Sequence, residues 1–256
     1  MRIAIEAQRI YRKEKHGMDY VALEMIRELQ KSDTDNEYYI LVAPGKDRCL
    51  EESDNMHIVE INCFSYPLWE QIALPMALKI IKPDLLHCTS NTAPLFCNVP
   101  LVLTLHDIIF LEKKHGKTLS MYQKLGRVYR RLIVPKILKK CKRIITVSNF
   151  ECKHITETLG LNPAIIQAVY NGYSKHFKPI DNNHLITQKY IQDKEYLFFL
   201  GNTDPKKNTE GVLKAYAIYL KHTDSPLPLL IADLNENSID TYLKTNNISH
   251  IKSHLR

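Results

Sequence analysis

The feature of this sequence that most constrains its fold is the alternation of short apolar segments with longer segments of helical periodicity. The segment Arg2–Glu6 (RIAIE) predicts a strand, and apolar residues then recur at the spacing of one helix face from Met18 to Leu29. Further strands are predicted at Tyr38–Ala43, His57–Ile61, Asp84–Cys88, Leu101–Leu105, Arg143–Ser148 and Ala164–Tyr170. Further helices are predicted at Trp69–Ile81 with a kink at Pro75, at about Leu119–Lys140 and at about Phe150–Leu159. This order predicts an α/β fold with a parallel sheet and helices on both faces.

The alternation stops near Pro179 and begins again after a polar stretch. The strand YLFFLG precedes a predicted helix at Asn208–Lys221, and the strand PLLIAD precedes one at Ser238–Lys244. We therefore predict a complete domain at residues 1–179, a linker at residues 180–194 and a second domain at residues 195–256. Because a nucleotide-binding half of a doubly wound fold has more than two such repeats, we expect the second domain to be partial.

Composition limits the classes of function. The chain has 256 residues, of which 45% are hydrophobic and 25% charged, as is ordinary for a globular protein. Its 35 basic and 28 acidic residues give a net charge of +7, which favours anionic partners. The N-terminus opens on a strand rather than a signal peptide, no apolar run approaches the roughly 20 residues that span a bilayer, and the six cysteines are scattered. We therefore expect a cytoplasmic protein with reduced thiols and no metal site.

Two segments have the composition of an anion-binding site. Gly17 lies between the first strand and the first helix, where helix amides attract anions and a glycine lets a ligand approach the backbone. Gly201 ends the first strand of the second domain, and Lys206 and Lys207 precede the helix that starts at Asn208. Two ammonium groups beside a helix N-terminus would balance the charge of a diphosphate. The alternatives are an ordinary turn glycine and a pair of solvated lysines.

Histidines lie at the ends of two predicted strands. His106 and Asp107 follow Leu101–Leu105 directly, and His87 lies at the end of Asp84–Cys88. Because parallel sheets bind ligands at the carboxyl ends of their strands, His106 is a candidate to donate a hydrogen bond to a ligand hydroxyl or a phosphate. On the residues alone, the alternative that these are satisfied structural histidines stays open.

Five segments, taken in their order along the chain, carry a family resemblance. They are MRIAIEAQRI…HGMDYVALEMIREL, the pair PDLLHCTSNTAP and LTLHDIIFLE, then RIITVSNFECKHI, VYNGYSKHFKP and LGNTDPKKNTEGVLKAY. Together they resemble the GT-B glycosyltransferases of family 4, which transfer sugars with retention of anomeric configuration. The resemblance covers residues 1–232. It implies a GT-B fold of two Rossmann-like domains, the first binding the acceptor and the second the nucleotide-sugar donor.

The same resemblance implies roles for single residues. His106 would face the transferred sugar and act in catalysis, while Gly17, Gly201 and Lys207 would lie at the donor phosphates. Lys206 stands where family members often have Arg, which keeps the cation but loses a bidentate contact. The residues expected to be structural, or to lie on the acceptor side, are His87, Asp107 and Asn171.

The function that the resemblance implies is transfer of a hexose from a nucleotide sugar to a polysaccharide or lipid-linked acceptor in bacterial-type surface glycan synthesis. The nucleotide sugar is a substrate, and we expect no cofactor and no metal, because lysines would supply the charge at the diphosphate. Asp33-Thr34-Asp35 matches the D-x-D of metal-dependent transferases, but it lies in a polar turn and is interpreted as a solvated loop. G-x-G-x-x-G and nucleic-acid-binding motifs are absent from the sequence, which disfavours a nicotinamide dehydrogenase and a nucleic-acid partner.

Basic residues dominate the longest predicted helix. From Lys113 to Phe150 the sequence has twelve Lys or Arg and no Asp or Glu. One arc of roughly 120° holds four of these cations, at about 100° per residue: Lys124, Arg127, Arg130 and Arg131. Opposite them lie Tyr122, Leu125, Tyr129, Leu132 and Ile133. We expect the apolar side to pack on the sheet and the basic side to face an anionic membrane, peripherally on its inner face; the alternative is a solvated charged face.

The second domain lacks an element that the resemblance requires. Family members hold the donor with a Glu-x7-Glu pair, but here Glu236 is followed by Lys244 eight residues on. One hypothesis is a family enzyme that is truncated, or completed by a separate polypeptide or an oligomeric partner. The other is a non-catalytic remnant that binds a membrane or an acceptor. On either hypothesis, we expect little turnover from this chain alone.

Overall fold

Parallel strands organise both parts of the chain. A computed structural model describes residues 1–111, 121–173, 178–179, 187–204 and 207–256, which divide into two units, Met1–Lys175 and His176–Arg256. Within the described residues, the first unit has a seven-stranded sheet in the order β3-β2-β1-β4-β5-β6-β7, with every neighbouring pair parallel. The strands are β1 Arg2–Glu6, β2 Glu37–Val42, β3 Met56–Glu60, β4 Leu85–Cys88, β5 Leu101–Thr104, β6 Cys141–Thr146 and β7 Ile166–Ala168. The predicted α/β fold class is confirmed.

Helices cover both faces of this sheet. Successive strand residues point to opposite faces, so Ile5 and Ala4 mark the two sides of β1. Ile5 packs with Leu23 and Ile26 of the first helix, whereas Ala4 belongs to the cluster that holds the other helices of this unit. The helices are α1 Gly17–Ser32, α2 Tyr66–Leu68, α3 Leu74–Ile81, α4 Met121–Leu138 and α5 Asn149–Leu159.

A π-helical turn, Trp69–Ala73, joins α2 to α3. Pro75 has no N–H to donate and sits in the first turn of α3, where none is needed. The Leu74 N–H reaches back five residues to the Trp69 carbonyl, which is the wider π pattern. The fully buried Trp69 fixes this turn, because its indole N–H donates to the Ile61 carbonyl at 2.9 Å. The irregularity predicted at Pro75 is therefore a π-helical turn directly before it.

The long basic helix α4 packs with only part of the apolar side that was predicted, which includes Ile133 and the half-buried Tyr129. Its core residues are Ile133, Val134, Ile137 and Leu138, all from its last two turns. Leu125 and Leu132 are 66% and 58% exposed, so the prediction that they pack on the sheet is wrong. The prediction assumed that arginines must face solvent. Arginine stems can instead pack along the protein while their guanidinium groups form hydrogen bonds. The side chain of Tyr122 lies outside the described residues.

Two arginines of the predicted outward face bond inward. The Nε–H groups of Arg127 and Arg131 donate to the Phe110 carbonyl at 3.0 and 2.8 Å, and Arg131 also reaches Leu111. Phe110 and Leu111 belong to the 3₁₀ turn Ile109–Leu111. Arg127 is half-buried, whereas Arg131 and Lys124 are exposed as expected, so the basic membrane face stays a prediction.

The second unit has a smaller parallel sheet. Its strands β8 (Leu197–Leu200) and β9 (Leu229–Ala232) pair in register, and the helices are α6 (Thr209–Tyr219) and α7 (Glu236–Thr245). A core of Leu213, Tyr216 and Leu243, among others, joins these helices to β9. The final residues extend the sheet, because the Arg256 N–H donates to the Leu229 carbonyl and the Arg256 carbonyl accepts from Ile231 N–H, both at 2.9 Å.

Candidate functional site

The order of the strands marks one edge of the first sheet as the place for a ligand. The chain winds from β1 through β2 to β3, then returns to place β4 on the other side of β1. At such a switch point the loops after the two strands diverge and leave a crevice at their carboxyl ends. Four polar residues lie there at the ends of β1, β4 and β5, and we name them the strand-end cluster: Glu6, Thr89, Asn91 and His106.

Glu6 ties the two central strands together at this edge. It is 1% exposed, and its carboxylate accepts the Gln8 N–H at 3.1 Å and the Thr89 N–H at 3.3 Å. The Thr89 hydroxyl donates to the Glu6 carbonyl at 2.8 Å. Burial raises the pKa of Glu6 to about 7, against the lowering effect of the Gln8 bond, and the charge of Glu70 adds to the rise. A carboxyl that titrates near neutral pH therefore supports the loops after β1 and β4.

His106 has a defined hydrogen-bonding state in the strand-end cluster. Its Nε2 lies 2.9 Å from the Thr89 carbonyl, and a carbonyl oxygen can only accept. Burial lowers the pKa of His106, so the ring is neutral at pH 7, with its proton on Nε2 and a lone pair on Nδ1. The His106 backbone N–H donates to Asn91 Oδ1 at 2.6 Å. The ring thus offers Nδ1 as an acceptor.

Asn91 and Asp107 shape the backbone on either side of His106. Asn91 has φ of 67°, a left-handed conformation that asparagine tolerates, and its N–H donates to the Thr104 carbonyl at 3.1 Å. Asp107 accepts the Ile109 N–H at 3.1 Å and so begins the 3₁₀ turn that Arg127 and Arg131 hold. Asp107 therefore has a structural contact.

His87 is a neighbour of His106, and the contact observed for its side chain is structural. Its Nε2 is 2.8 Å from the Thr104 hydroxyl, and the side chain is buried. Burial, with a smaller contribution from the neighbouring His106, lowers the pKa of His87 to about 4. A buried neutral histidine bonded to a threonine matches the structural alternative that the sequence left open.

A second buried carboxylate lies in the π-helical turn. Glu70 is fully buried and accepts from the Tyr66 hydroxyl at 2.7 Å, from the Gln71 amide at 2.9 Å, and from the Thr92 and Tyr129 hydroxyls. Burial and the charge of Glu70 raise the pKa of Tyr66 and of Tyr129, so both phenols stay protonated donors. These residues, the Glu70 cluster, join α2, the loop after β4 and α4 around one buried carboxyl group.

Gly17, a predicted donor residue, is the first residue of α1. An added Cβ would meet nothing within 4 Å, so space is open on this side of the helix N-terminus. Side-chain hydrogen bonds fix the turn before α1, because Asp19 accepts the His16 N–H at 2.6 Å and the Arg12 Nε–H at 2.8 Å. The backbone of this turn is therefore fixed before any ligand arrives.

The other residues that were predicted to bind the nucleotide-sugar donor belong to the second unit. Gly201 directly follows β8, and an added Cβ there would lie 2.9 Å from the Phe199 ring, so close packing explains the glycine. Lys207 is exposed one residue before Asn208, the left-handed N-cap residue of α6, and its N–H donates to the Asp204 carbonyl at 3.0 Å. Lys206 lies outside the described residues.

The other candidate features have structural explanations or no observed contact. Asp33 of the D-x-D motif accepts from the Tyr38 hydroxyl and the Asn36 amide, both at 2.7 Å, and these bonds lower its pKa to about 2. Asn171 is exposed after β7. In the part of the chain that is described, no group of three or more metal-ligating side chains occurs. No helix among the described residues is long and apolar enough to cross a membrane.

Sequence reasoning missed most of the residues that organise the site. Glu6 carried a usable signal, since an acid ending an apolar strand in a parallel sheet lies at the ligand-binding edge. Glu70 carried a weaker one, as the sole acid between Phe64 and Lys82. Thr89 and Asn91 had none, because their roles depend on backbone contacts between two strands.

The strand-end cluster can bind a polar, uncharged ligand by hydrogen bonds. It offers a neutral imidazole acceptor at His106 and loops whose positions are fixed by Glu6 and Asn91. Hydroxyl-rich molecules such as sugars suit such a surface, because each hydroxyl can both donate and accept.

Comparison with known proteins agrees with this chemistry. Residues 16–176 match the sequence profile of Glycosyltransferase Family 4. The chain is also similar to the O-antigen chain mannosyltransferase RfbU of Salmonella typhimurium (strain LT2), with 28% identity over 154 residues. The matched segment is 59% of this chain, and it spans 37% of the length of that curated relative.

Solved structures resemble the fold over nearly the whole chain. Anabaena Alr3699/HepE in complex with UDP-glucose is similar with a TM-score of 0.62 and 15% identity, over 100% of this chain and 68% of that one. WaaG, a glycosyltransferase involved in lipopolysaccharide biosynthesis, is similar with a TM-score of 0.64 and 12% identity, over 99% of this chain and 69% of that one. At these identities the similarity shows the fold, which is of GT-B type.

Proposed function

This chain belongs to glycosyltransferase family 4, and from that premise we propose that it transfers a hexose from a nucleotide sugar to a glycan or lipid-linked acceptor. The observation that carries the proposal is the family match, which runs from the start of α1 to beyond β7. The curated relative is named as an O-antigen chain mannosyltransferase. That name supports bacterial surface glycan assembly as the process, and nothing in the described residues favours the non-catalytic alternative.

In this proposal the donor is a nucleoside-diphosphate sugar. The similar structure of Alr3699/HepE is a complex with UDP-glucose, which supports that class of donor. Lys206 and Lys207 would neutralise the leaving diphosphate, Gly17 would leave room for its oxygens, and Gly201 would lie beside it at the end of the preceding strand. The charge balance of these lysines is the reason for proposing transfer without a metal.

The strand-end cluster would hold the transferred hexose. His106 Nδ1 would accept a hydrogen bond from a sugar hydroxyl, since the Thr89 carbonyl already takes the Nε2 proton. The bond between the anomeric carbon and the donor oxygen breaks, and its electron pair leaves with the diphosphate. The acceptor hydroxyl bonds the anomeric carbon from the same face, which is transfer with retention, and its proton passes to the leaving phosphate.

A lipid-linked acceptor would bring the enzyme to the inner face of a membrane. The net charge of +7 and the run of twelve cations without an acid from Lys113 to Phe150 support attraction to anionic lipid. Peripheral association of a cytoplasmic enzyme is therefore part of the proposal.

The donor part is tested by titrating the chain with UDP, UDP-glucose and a nucleoside-diphosphate mannose in a calorimeter. Lys207→Ala should weaken binding of the preferred donor by about 10- to 100-fold, since a charge-assisted hydrogen bond contributes roughly 1.5–3 kcal/mol. The matched control is Lys214→Ala on α6, because Lys214 already pairs with Glu210 at 2.6 Å. That variant should bind as the wild type does.

Two results would count against the proposal. Equal binding by wild type and Lys207→Ala would remove Lys207 from the donor site. No binding of any nucleotide sugar would overturn the function itself, whereas little transfer is already expected of this chain alone.

A further inference from the structure

Arg9 places a positive charge at the ligand-binding edge of the first sheet. It follows the end of β1 in a turn where the Ile10 N–H donates to the Ala7 carbonyl at 3.2 Å. Ala7 and Ile10 are buried in the core that contains α1, whereas Arg9 is only half-buried. The turn therefore anchors this loop in the core and leaves the Arg9 side chain at the carboxyl end of β1, beside the crevice of the switch point.

The Arg9 guanidinium stacks on an aromatic ring that is tied to the other loop of this crevice. Its central carbon lies 4.6 Å from the centroid of the Tyr66 ring, at the start of α2. The Tyr66 hydroxyl lies 2.6 Å from the Thr92 hydroxyl and donates to Glu70 at 2.7 Å. Because Thr92 belongs to the loop after β4, the Arg9–Tyr66 pair connects the two loops that diverge at the switch point.

The N–H donors of Arg9 face no partner among the described residues. None of these residues forms a hydrogen bond or an ion pair with its guanidinium. Two cations that follow in the same loop are paired instead, Arg12 with Asp19 and Lys15 with Asp47. A planar guanidinium fixed by stacking, with its donors free, has the geometry that binds two oxygens of one carboxylate or phosphate.

The buried acids near Arg9 are bonded to other donors. The Glu6 carboxylate accepts the N–H groups of Gln8 and Thr89, and Glu70 accepts from the hydroxyl and amide groups of its own cluster. Burial raises the pKa of Glu6 to about 7, against a smaller lowering effect of Arg9. Glu6 therefore carries only part of a negative charge at neutral pH and balances Arg9 only in part.

We propose that Arg9 binds an oxyanion, a carboxylate or a phosphate, on the sugar acceptor. The guanidinium would form two parallel hydrogen bonds to the anion while the Tyr66 ring holds its plane. The inference rests on the proposed transfer reaction, in which the first domain binds the acceptor, and it adds a preference to that function. A glycan that carries a uronic acid or a phosphorylated sugar beside the receiving hydroxyl would bind better than a neutral one.

The position of Arg9 favours the acceptor over the donor diphosphate. The turn before Gly17, which is proposed to meet that diphosphate, is fixed by the bonds that Asp19 accepts from His16 and Arg12. The observed contact of Arg9 is instead with Tyr66, and through it with the loop after β4. The two anions would therefore bind at separate places on the first unit.

The test is a ligand-observed NMR titration of the full chain with glucose, glucuronate and glucose 6-phosphate. These soluble probes share a sugar ring and differ in the anion they carry. The wild type should bind at least one acidic probe roughly tenfold or more tightly than glucose, because a charged bidentate contact is stronger than a neutral one. The tighter of the two acidic probes distinguishes a carboxylate from a phosphate.

Arg9→Gln should abolish this preference. Arg9→Lys should keep only part of it, because an ammonium group cannot hold two oxygens in a fixed plane. The melting temperature of both variants should change little, since Arg9 makes no hydrogen bond to the described residues.

Two controls separate this site from general charge and from the donor site. Lys13→Gln removes one exposed charge from the same loop and should bind the acidic probes as the wild type does. Lys207→Ala should also keep that binding, while Arg9→Gln should keep the binding of UDP-glucose.

Three results would overturn the proposal. They are equal binding of the three probes by the wild type, a loss in Lys13→Gln as large as in Arg9→Gln, and weakened UDP-glucose binding in Arg9→Gln. The last of these would assign Arg9 to the donor. Nucleotide-sugar binding by the wild type is measured separately, so failure of the Arg9 test leaves the proposed transfer reaction standing.

Discussion

Glu6 makes the first unit sensitive to pH. Its folded pKa of about 7 exceeds the ordinary value of 4.5, so the folded state holds the proton more tightly than the unfolded chain does. The stabilisation is complete below pH 4.5 and is lost as pH rises through 7, by about 3 kcal/mol for a shift of this size. We expect Glu6→Gln to remove that loss. Urea unfolding followed by fluorescence of Trp69, the single tryptophan, measures it in the first unit.

The decisive quantity is the difference in unfolding free energy between wild type and Glu6→Gln, measured at pH 5 and at pH 8. A constant difference would mean that Glu6 does not titrate in this range. Transfer activity is not needed for this measurement.

His87 acts in the opposite direction on the acid side. Its folded pKa of about 4 is below the ordinary 6.5, so the unfolded chain takes up the proton first as pH falls. Stability is complete above pH 6.5 and should fall by about 3 kcal/mol as pH drops to 4. His87→Gln keeps a partner for the Thr104 hydroxyl and cannot titrate, so its unfolding free energy should fall less over this range. Parallel curves for the two proteins would contradict the assignment.

At the scale of elements, α4 holds the turn after the strand-end cluster. Arg127 and Arg131 supply three side-chain bonds to the carbonyls of Phe110 and Leu111. Changing both arginines to Gln should speed amide hydrogen exchange at Ile109–Leu111 at least tenfold, because bonds from charged donors contribute roughly 1.5–3 kcal/mol each.

Lys124→Gln is the control for this prediction, because Lys124 is exposed on the same helix. It should leave exchange at the turn unchanged, and the central strands should be unaffected in both variants. If the arginine variant also leaves the turn protected, the bonds do not hold it.

Periodicity predicted the elements, but it did not fully predict which side of α4 is buried. The strands near Arg2–Glu6 and Leu101–Leu105 lie close to where the sequence put them, because short apolar runs between turns have few other solutions. For α4 the same reasoning was only partly right, because Ile133 is buried as predicted but other members of the predicted apolar side are not. Leu125 and Leu132 look like core residues on a wheel, yet only the last two turns of the helix reach the sheet.

At the scale of the whole molecule, the order of the elements was sufficient to identify the α/β class, whereas the family was recognised from the resemblance of five sequence segments. A chain of βα repeats with right-handed connections has few parallel arrangements, so strand order follows from chain order apart from the switch at β1 and β4. The strand-end cluster could be predicted only in part. His106 was found because it follows a strand, whereas Asn91 and Thr89 act through backbone groups that no side-chain pattern reveals.

The π-helical turn Trp69–Ala73 also determines where this chain can change length. It already accommodates one residue more than a regular helix would, while Leu74 and Leu78 beyond it remain in the core. We therefore expect that one residue can be deleted within Trp69–Ala73. The π-helical turn would become a regular α-helical turn, and α2 and α3 would keep the same sides toward the core. The same deletion inside α3 would rotate the remaining positions by about 100° and turn core leucines toward solvent.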